Sequence, residues 1–320
     1  MTYRLSQRGF TLVELLIAIF LAMMAVAAGY AIYFGSSRAA TMQTQDARMQ
    51  DNARMAMDVL TRNFMRTGFL VNFANYPPGF AMNGLTSKLQ AANSNSAPDS
   101  VQIIVPSTGT LATLQDTAPK GATLVALSSA PSFSAGAVIG IGLTDTALVT
   151  NVTGSNVTLD ATATSGALNL EYPGETAANK AATTIVRLTT TTFSINQADL
   201  MHPVLEQDGT PLAEDIEDLQ IAYGVDTNNN KIIEAGEWTS TPLSSQIDQI
   251  RLLRVTIVAR TAQEDPSLRG VVGVGPQRLV PPDGSTIEDR PARNVTADGY
   301  RRYILTRIIK CRNTNTVATL

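Results

Sequence analysis

The sequence predicts an α+β protein: a long N-terminal α-helix, apolar in its first half and amphipathic in its second, packed on an antiparallel β-rich globular head. Three observations predict it. Leu15 to Phe34 is a run of twenty residues without a charge; apolar residues from Met42 to Phe64 recur at helical spacing; and from Val101 onward short β-branched segments alternate with turn residues.

The first element is organised around Gly9. Residues 1–9 carry Arg4 and Arg8 and no acid, and the apolar run follows directly. At about 1.5 Å per residue that run makes about 30 Å of helix, the thickness of a bilayer's hydrocarbon core. A basic leader stays on the cytoplasmic side, so the rest of the chain is expected to cross to the far side as a single-pass membrane protein. An ordinary secretory signal is cut after its apolar region. Here the junction Gly9-Phe10 lies before it, so processing removes residues 1–9 and leaves the apolar segment, residues 10–34, at the new N-terminus. Glu14 is the one acid inside that segment. A carboxylate in an apolar helix is costly unless paired and is functional by default. Its natural partner is the α-amine of a Phe10, its own or a neighbour's.

The helix is expected to continue over residues 35–68, because no proline occurs before Pro77. Met42, Met49, Ala53, Ala56, Leu60 and Phe64 share one face, and Arg38, Asp46, Arg48, Asp51, Arg54, Asp58 and Arg62 lie opposite. Such a helix buries one side against a head and leaves charge outside. Gly68 is the expected stop, since glycine accepts the left-handed conformation that ends helices.

Residues 69–320 form the head. The Asn-, Pro-, Ser- and Gly-rich stretch from 70 to 100 reads as loop up to the strand at Val101 to Val105. Residues of about 110–175, nearly uncharged and rich in Thr, Ala, Val, Ser and Gly, read as a β-rich insertion with strands near 137–142, 147–150 and 156–160. Further strands are expected at 184–188, 192–195, 219–225 and 249–258, with a short acidic segment from Leu212 to Glu217. The alternation of Arg254, Thr256 and Val258 with Val255, Ile257 and Ala259 predicts a strand covered on one face.

The segment Asp226 to Glu237 places Asp226, Asn228, Asn230, Glu234 and Glu237 at positions one, three, five, nine and twelve of a loop, with the Ile232 carbonyl at seven. That is the oxygen spacing of a calcium loop, so Ca2+ is the one candidate cofactor. Lys231 stands at position six, where the pattern has glycine, which weakens the sharp turn. An Asn-rich hairpin turn is the competing reading.

Composition argues against other classes. With net charge −3, pI about 5.3 and no basic run, no nucleic-acid partner is expected. The lone histidine, His202, precedes Pro203 and has no serine or cysteine marked as its nucleophile, so catalysis is not expected and His202 reads as a loop or surface residue. The cluster Gly270, Gly273 and Gly275, followed by Pro276, reads as turn rather than dinucleotide loop. The single cysteine, Cys311, cannot form an internal disulfide and reads as a buried strand thiol, with an intermolecular bridge as the alternative.

Gly9, Phe10, Thr11, Leu12 and Glu14 together resemble the prepilin peptidase motif of type IV pilins and pseudopilins: Gly, then Phe or Met, then Thr-Leu-x-Glu. The resemblance implies that prepilin peptidase cleaves after Gly9 and methylates Phe10, and that Glu14 serves assembly into a helical filament. It also implies partners: other minor pilins, the major pilin, the inner-membrane assembly platform and a large tip adhesin. Arg66 to Phe69, Leu219 to Asp226 and Arg301 to Ile309 with Arg312-Asn313 resemble the minor pilins of the PilW family, across about half the chain and not in the 110–175 insertion. That family is related to the J-type pseudopilins of type II secretion. The expected function is priming or capping of type IV pilus assembly. The alternatives are a type II secretion pseudopilin, or a tip module that binds through the insertion.

Overall fold

The computed structural model describes residues 11–311 except 70, 72–81, 83, 84, 86, 95, 143, 144, 161–167, 179 and 266–298. The glycine cluster at 270–275 and the junction Gly9-Phe10 lie outside the described residues. The chain divides into two compact units, residues 1–48 and 49–320, and α1 (Leu12–Arg66) contributes to both.

α1 is a single helix of 55 residues. Its Leu-, Ala- and Met-rich sequence favours helix throughout, and no proline interrupts it. Within the second unit its buried face is Met49, Ala53, Ala56, Met57, Leu60 and Phe64. Met57 was not on the predicted stripe, and Met42, which was, is only part-buried. The helix stops as glycine chemistry predicts: Gly68 has φ +72°, and its N–H donates to the Ile104 carbonyl at 2.9 Å rather than continuing the helix. Arg66 Nη2 donates to the Pro106 carbonyl at 2.8 Å, tying the same end to the sheet.

Among the described residues the head contains two antiparallel sheets. The larger has β1 (Leu89–Ala92), β2 (Ser100–Thr113), β7 (Thr184–Asn196), β4 (Val138–Ile141), β5 (Asp145–Thr153), β6 (Asn156–Leu159) and β3 (Leu124–Ala126) in that order, with β8 (Val204–Gln207) on β7 and β9 (Thr210–Glu214) on β8. The smaller runs β11 (Trp238–Thr239), β10 (Ile216–Val225), β12 (Ile250–Arg260) and β13 (Arg302–Lys310).

Several expectations change here. The two segments predicted at 184–188 and 192–195 are one strand, β7, because its first half pairs with β4 while its second half pairs with β8. The stretch read as loop contains β1, a short strand with no β-branched residue to mark it in sequence. The acidic segment 212–217 is broken by Asp215, at φ +59°, which ends β9 and starts β10. β12 is covered on both faces from Val255 onward: Thr256, Val258 and Arg260 are as buried as Val255, Ile257 and Ala259. Alternating polarity did not mean one-sided burial, since Thr256 shares a hydroxyl hydrogen bond of 2.9 Å with Thr306 and Arg260 lies 4.3 Å over the Tyr300 ring.

One apolar core joins the helix face to β10, β12 and the β2/β7 end of the larger sheet, with Phe64 and Phe193 edge to face at 6.0 Å. A second core, from Leu114, Val125, Ile139, Ile141, Val157, Leu159 and Ile185 among others, fills residues 112–185. β2 and β7 run through both, so this region is a lengthening of the main sheet with a core of its own.

Candidate functional site

The N-terminal turn begins at Thr11, whose Oγ1 accepts the Glu14 backbone N–H at 3.2 Å. Glu14 Oε2 in return accepts the Thr11 N–H at 3.2 Å and lies 3.3 Å from the Thr11 hydroxyl. This reciprocal pair satisfies helix donors that have no partner in the turn before them. It also holds the carboxylate at the positive end of the helix dipole. The Thr-x-x-Glu spacing that signals it is present in the sequence, within the motif that also marks processing and assembly. Past this turn Leu12, Val26 and Ile32 are exposed by 71–76%, and the apolar window of α1 is uncovered among the described residues. A surface of that length and composition is fit for lipid or for like helices, and Glu14 stands at its end.

The second candidate, residues 226–237, joins β10 to β11. Asp226 is 1% exposed; its Oδ2 accepts the Lys231 N–H at 3.0 Å and is bonded by Arg251 Nε of β12. Burial opposes its ionisation, but the Arg251 and Lys231 bonds outweigh that and hold its pKa below the usual carboxylate value. Glu237 Oε1 accepts the Thr227 N–H at 3.0 Å and the Thr227 hydroxyl at 2.8 Å, and Oε2 accepts the Glu234 N–H at 3.1 Å. Those bonds, led by the one from Glu234, lower its pKa against the opposing effect of burial. Asn228 Oδ1 accepts the Asn230 N–H at 2.9 Å, Asn230 Oδ1 the Ile232 N–H at 2.7 Å, and Glu234 Oε1 is 3.2 Å from Asn230 Nδ2. Lys231 makes the position-six turn at φ +68° despite its side chain, and Asn229 is also left-handed at φ +60°.

The predicted ligand residues are thus adjacent, and the side chains of Asp226, Asn228, Asn230, Glu234 and Glu237 each have a bond within the loop or to Arg251, though Asp226 Oδ1 itself has no partner among the described residues. Among the described residues no group of three or more His, Cys, Asp and Glu side chains is placed to hold a metal. Arg251 and Thr227 are the partners that sequence reasoning missed. Arg251 lies 25 residues from Asp226 and reaches it only through the β10/β12 pairing, between Val225 and Ile250.

His202 is exposed, its Nδ1 3.1 Å from Asp215 Oδ1. Cys311 is free and buried, and burial pushes its pKa up to about 12. Its N–H donates to the Arg251 carbonyl at 2.9 Å, fixing it at the end of β13.

Two family profiles match the chain: the prokaryotic N-terminal methylation motif at residues 4–30, and the family described as type IV pilus-assembly protein W, PilW, at residues 174–313. Together they span over half of the chain. Comparison with curated proteins gives no match. Among solved structures, a type IV-like pilin from Thermus thermophilus, TTHA1219, aligns over 83% of this chain and 98% of its own, at 12% identity and a TM-score of 0.38, a similarity too low to bear on the reading. With the methylation motif at the start of α1 and the PilW profile over β7 to β13, the chain is similar to the PilW family of type IV pilin-like proteins, which it resembles over 140 of its 320 residues.

Proposed function

We propose that the protein is a minor pilin that primes or caps type IV pilus assembly, acting through packing of α1 and docking of the head. The observation that carries it is Glu14 standing at the end of a bare apolar helix on the same chain as a PilW head. In this account prepilin peptidase cuts after Gly9 and methylates Phe10. The segment 10–34 then anchors the protein in the inner membrane, with the head of residues 69–320 in the periplasm. Other minor pilins, the major pilin, the assembly platform and a tip adhesin are its partners. In a bundle of like helices the Glu14 carboxylate exchanges its bond to the Thr11 N–H for a neighbour's α-amine, and charge pairing replaces a neutral donor.

The test is Glu14→Leu in cells, scored for cleavage, membrane association and piliation. Cleavage and head folding are expected to persist while incorporation into filaments falls, because a neighbour's amine is left without its acid. Wild-type piliation with wild-type amounts of the variant in filaments contradicts the proposal. Loss of protein secretion with piliation unchanged favours the type II secretion alternative.

We also propose weak calcium binding by residues 226–237. The left-handed turn at Lys231 and the Asp226-to-Lys231 bond support it, because they hold the chain in the tight conformation that the spacing requires. Among the described residues Asp226 Oδ1 has no hydrogen-bond partner, while Arg251 on Asp226 Oδ2 and Thr227 on Glu237 compete with an ion for these carboxylates, which makes affinity low.

A further inference from the structure

Tyr30, Tyr33 and Phe34 form a compact aromatic group at the far end of the apolar run. The Tyr30 and Phe34 ring centroids are 4.5 Å apart, one helical turn from each other, and the Tyr33 ring stands edge-on to Phe34 at 6.2 Å. All three are more than half exposed, at 63%, 68% and 54%. Between Leu12 and Gly29 the one aromatic is Phe20, which has no polar tip. Directly after the group come Gly35, Ser36 and Ser37, then Arg38, the first charge since Glu14. Rings with an apolar body and a hydroxyl tip have lowest free energy where one end is dry and the other wet, which is the boundary between acyl chains and headgroups.

From this placement we infer that Tyr30, Tyr33 and Phe34 are an anchor for the periplasmic membrane interface that fixes the depth of α1 before the subunit enters a filament. The inference rests on the membrane-anchored reading proposed above. Its consequence concerns Glu14. Tyr33 lies nineteen positions after Glu14, about 28 Å of helix at about 1.5 Å per residue, close to the roughly 30 Å of a hydrocarbon core. Rings held at one interface therefore hold Glu14 at the other. In the membrane the carboxylate stays at the cytoplasmic boundary, hydrated and capping its own helix through Thr11. It is desolvated only when α1 leaves lipid for the helical bundle, where an α-amine is present to receive it. The aromatic group thus separates a resting depth, at which the acid needs no partner, from the assembled state, in which it does.

The test uses the full chain in phosphatidylcholine vesicles. Trp238 is the only tryptophan, so in a Trp238→Phe background a single reporter is placed by Tyr33→Trp or, at mid-helix, by Met23→Trp. Each variant is measured with lipids carrying a quencher near the headgroup or deep in the acyl chain. The expected result is a greater loss of emission from the shallow quencher for the reporter at position 33 and from the deep quencher for the reporter at position 23. Stronger quenching of position 33 by the deep label overturns the anchor while leaving membrane insertion standing. So does quenching at position 33 that follows protein-to-lipid ratio rather than label depth, since the rings then pack on a second copy. Absence of quenching at both positions, with the protein failing to co-float with vesicles, overturns the membrane reading itself and the anchor with it. As a second variant, Tyr30→Leu with Tyr33→Leu is expected to insert as before but to lose the fixed depth, seen as a reporter at Met23 that the two labels quench to similar extents.

Discussion

Cys311 shows how one buried side chain decides between two chemistries. A thiol whose pKa is raised to about 12 by burial holds almost no thiolate at neutral pH, and the thiolate is the reactive form. The native protein is therefore expected to resist alkylation and to run as a monomer in non-reducing gels, whereas the denatured chain should label fully. Rapid labelling of the native head would mean that the end of β13 opens. At the 226–237 loop the sign of the pH dependence follows from two lowered carboxylate pKa values. Stability from Asp226 and Glu237 is complete above the ordinary carboxylate range near pH 4 and is lost as pH falls through their lower folded values. Replacing Glu237 with Gln should flatten the acid limb of the melting temperature against pH, and an unchanged slope would place the acid sensitivity elsewhere. In the same melting assay, calcium against chelator should shift the wild-type head by less than the roughly 1.4 kcal/mol expected for a ligand at ten times its Kd, because Arg251 competes for the Asp226 carboxylate. Arg251→Ala should enlarge that calcium-dependent part, and identical curves in both proteins would reduce the loop to a turn.

At the level of elements, α1 was legible because its signals are local: a charge-free run, a repeating apolar face, and a glycine at the stop. Its caps were only half legible. Thr11 and Glu14 were in view, but their reciprocal bonds were hidden behind the motif they also form. Strands were legible where β-branched residues cluster, as in β10 and β12. β1, β3 and β8 escaped because each holds at most one β-branched residue in three or four, whereas β4 and β6, as short, hold three and two and were read. The double burial of β12 also escaped, since a threonine and an arginine in a sheet read as solvent-facing until their partners Thr306 and Tyr300 are placed beside them. The stability of the head is expected to depend most on the helix stripe. Leu60 is fully buried in the core shared with both sheets. Leu60→Ala should cost the head about 2–5 kcal/mol in denaturant unfolding, through lost burial and the cavity left behind. The ion pair between Asp58 and Arg307 is half in solvent, at side-chain exposures of 60% and 41%. Its removal should cost well under about 1 kcal/mol. The reverse ranking would mean that α1 is held to β13 by charge rather than by its apolar face.

For the whole molecule, the methylation motif matches residues 4–30 and the PilW profile matches residues 174–313 of the β-rich head. The N-terminal methylation motif was legible, since it depends on residue order and no tertiary contact enters. The candidate calcium loop was legible as spacing, whereas the contacts of Asp226 with Arg251 and of Glu237 with Thr227 depend on strand register and loop closure, which spacing does not encode. The region of residues 112–185 read as a separate insertion because its composition changes abruptly. In the structure the two long strands β2 and β7 carry it, so its second core is continuous with the main sheet. The central claim, that a leader is removed ahead of an apolar helix that then enters a filament, is tested most directly by intact mass of this protein recovered from sheared filaments. The account predicts a chain that lacks residues 1–9 and begins at singly methylated Phe10. A filament-borne chain that still carries residues 1–9 would contradict it.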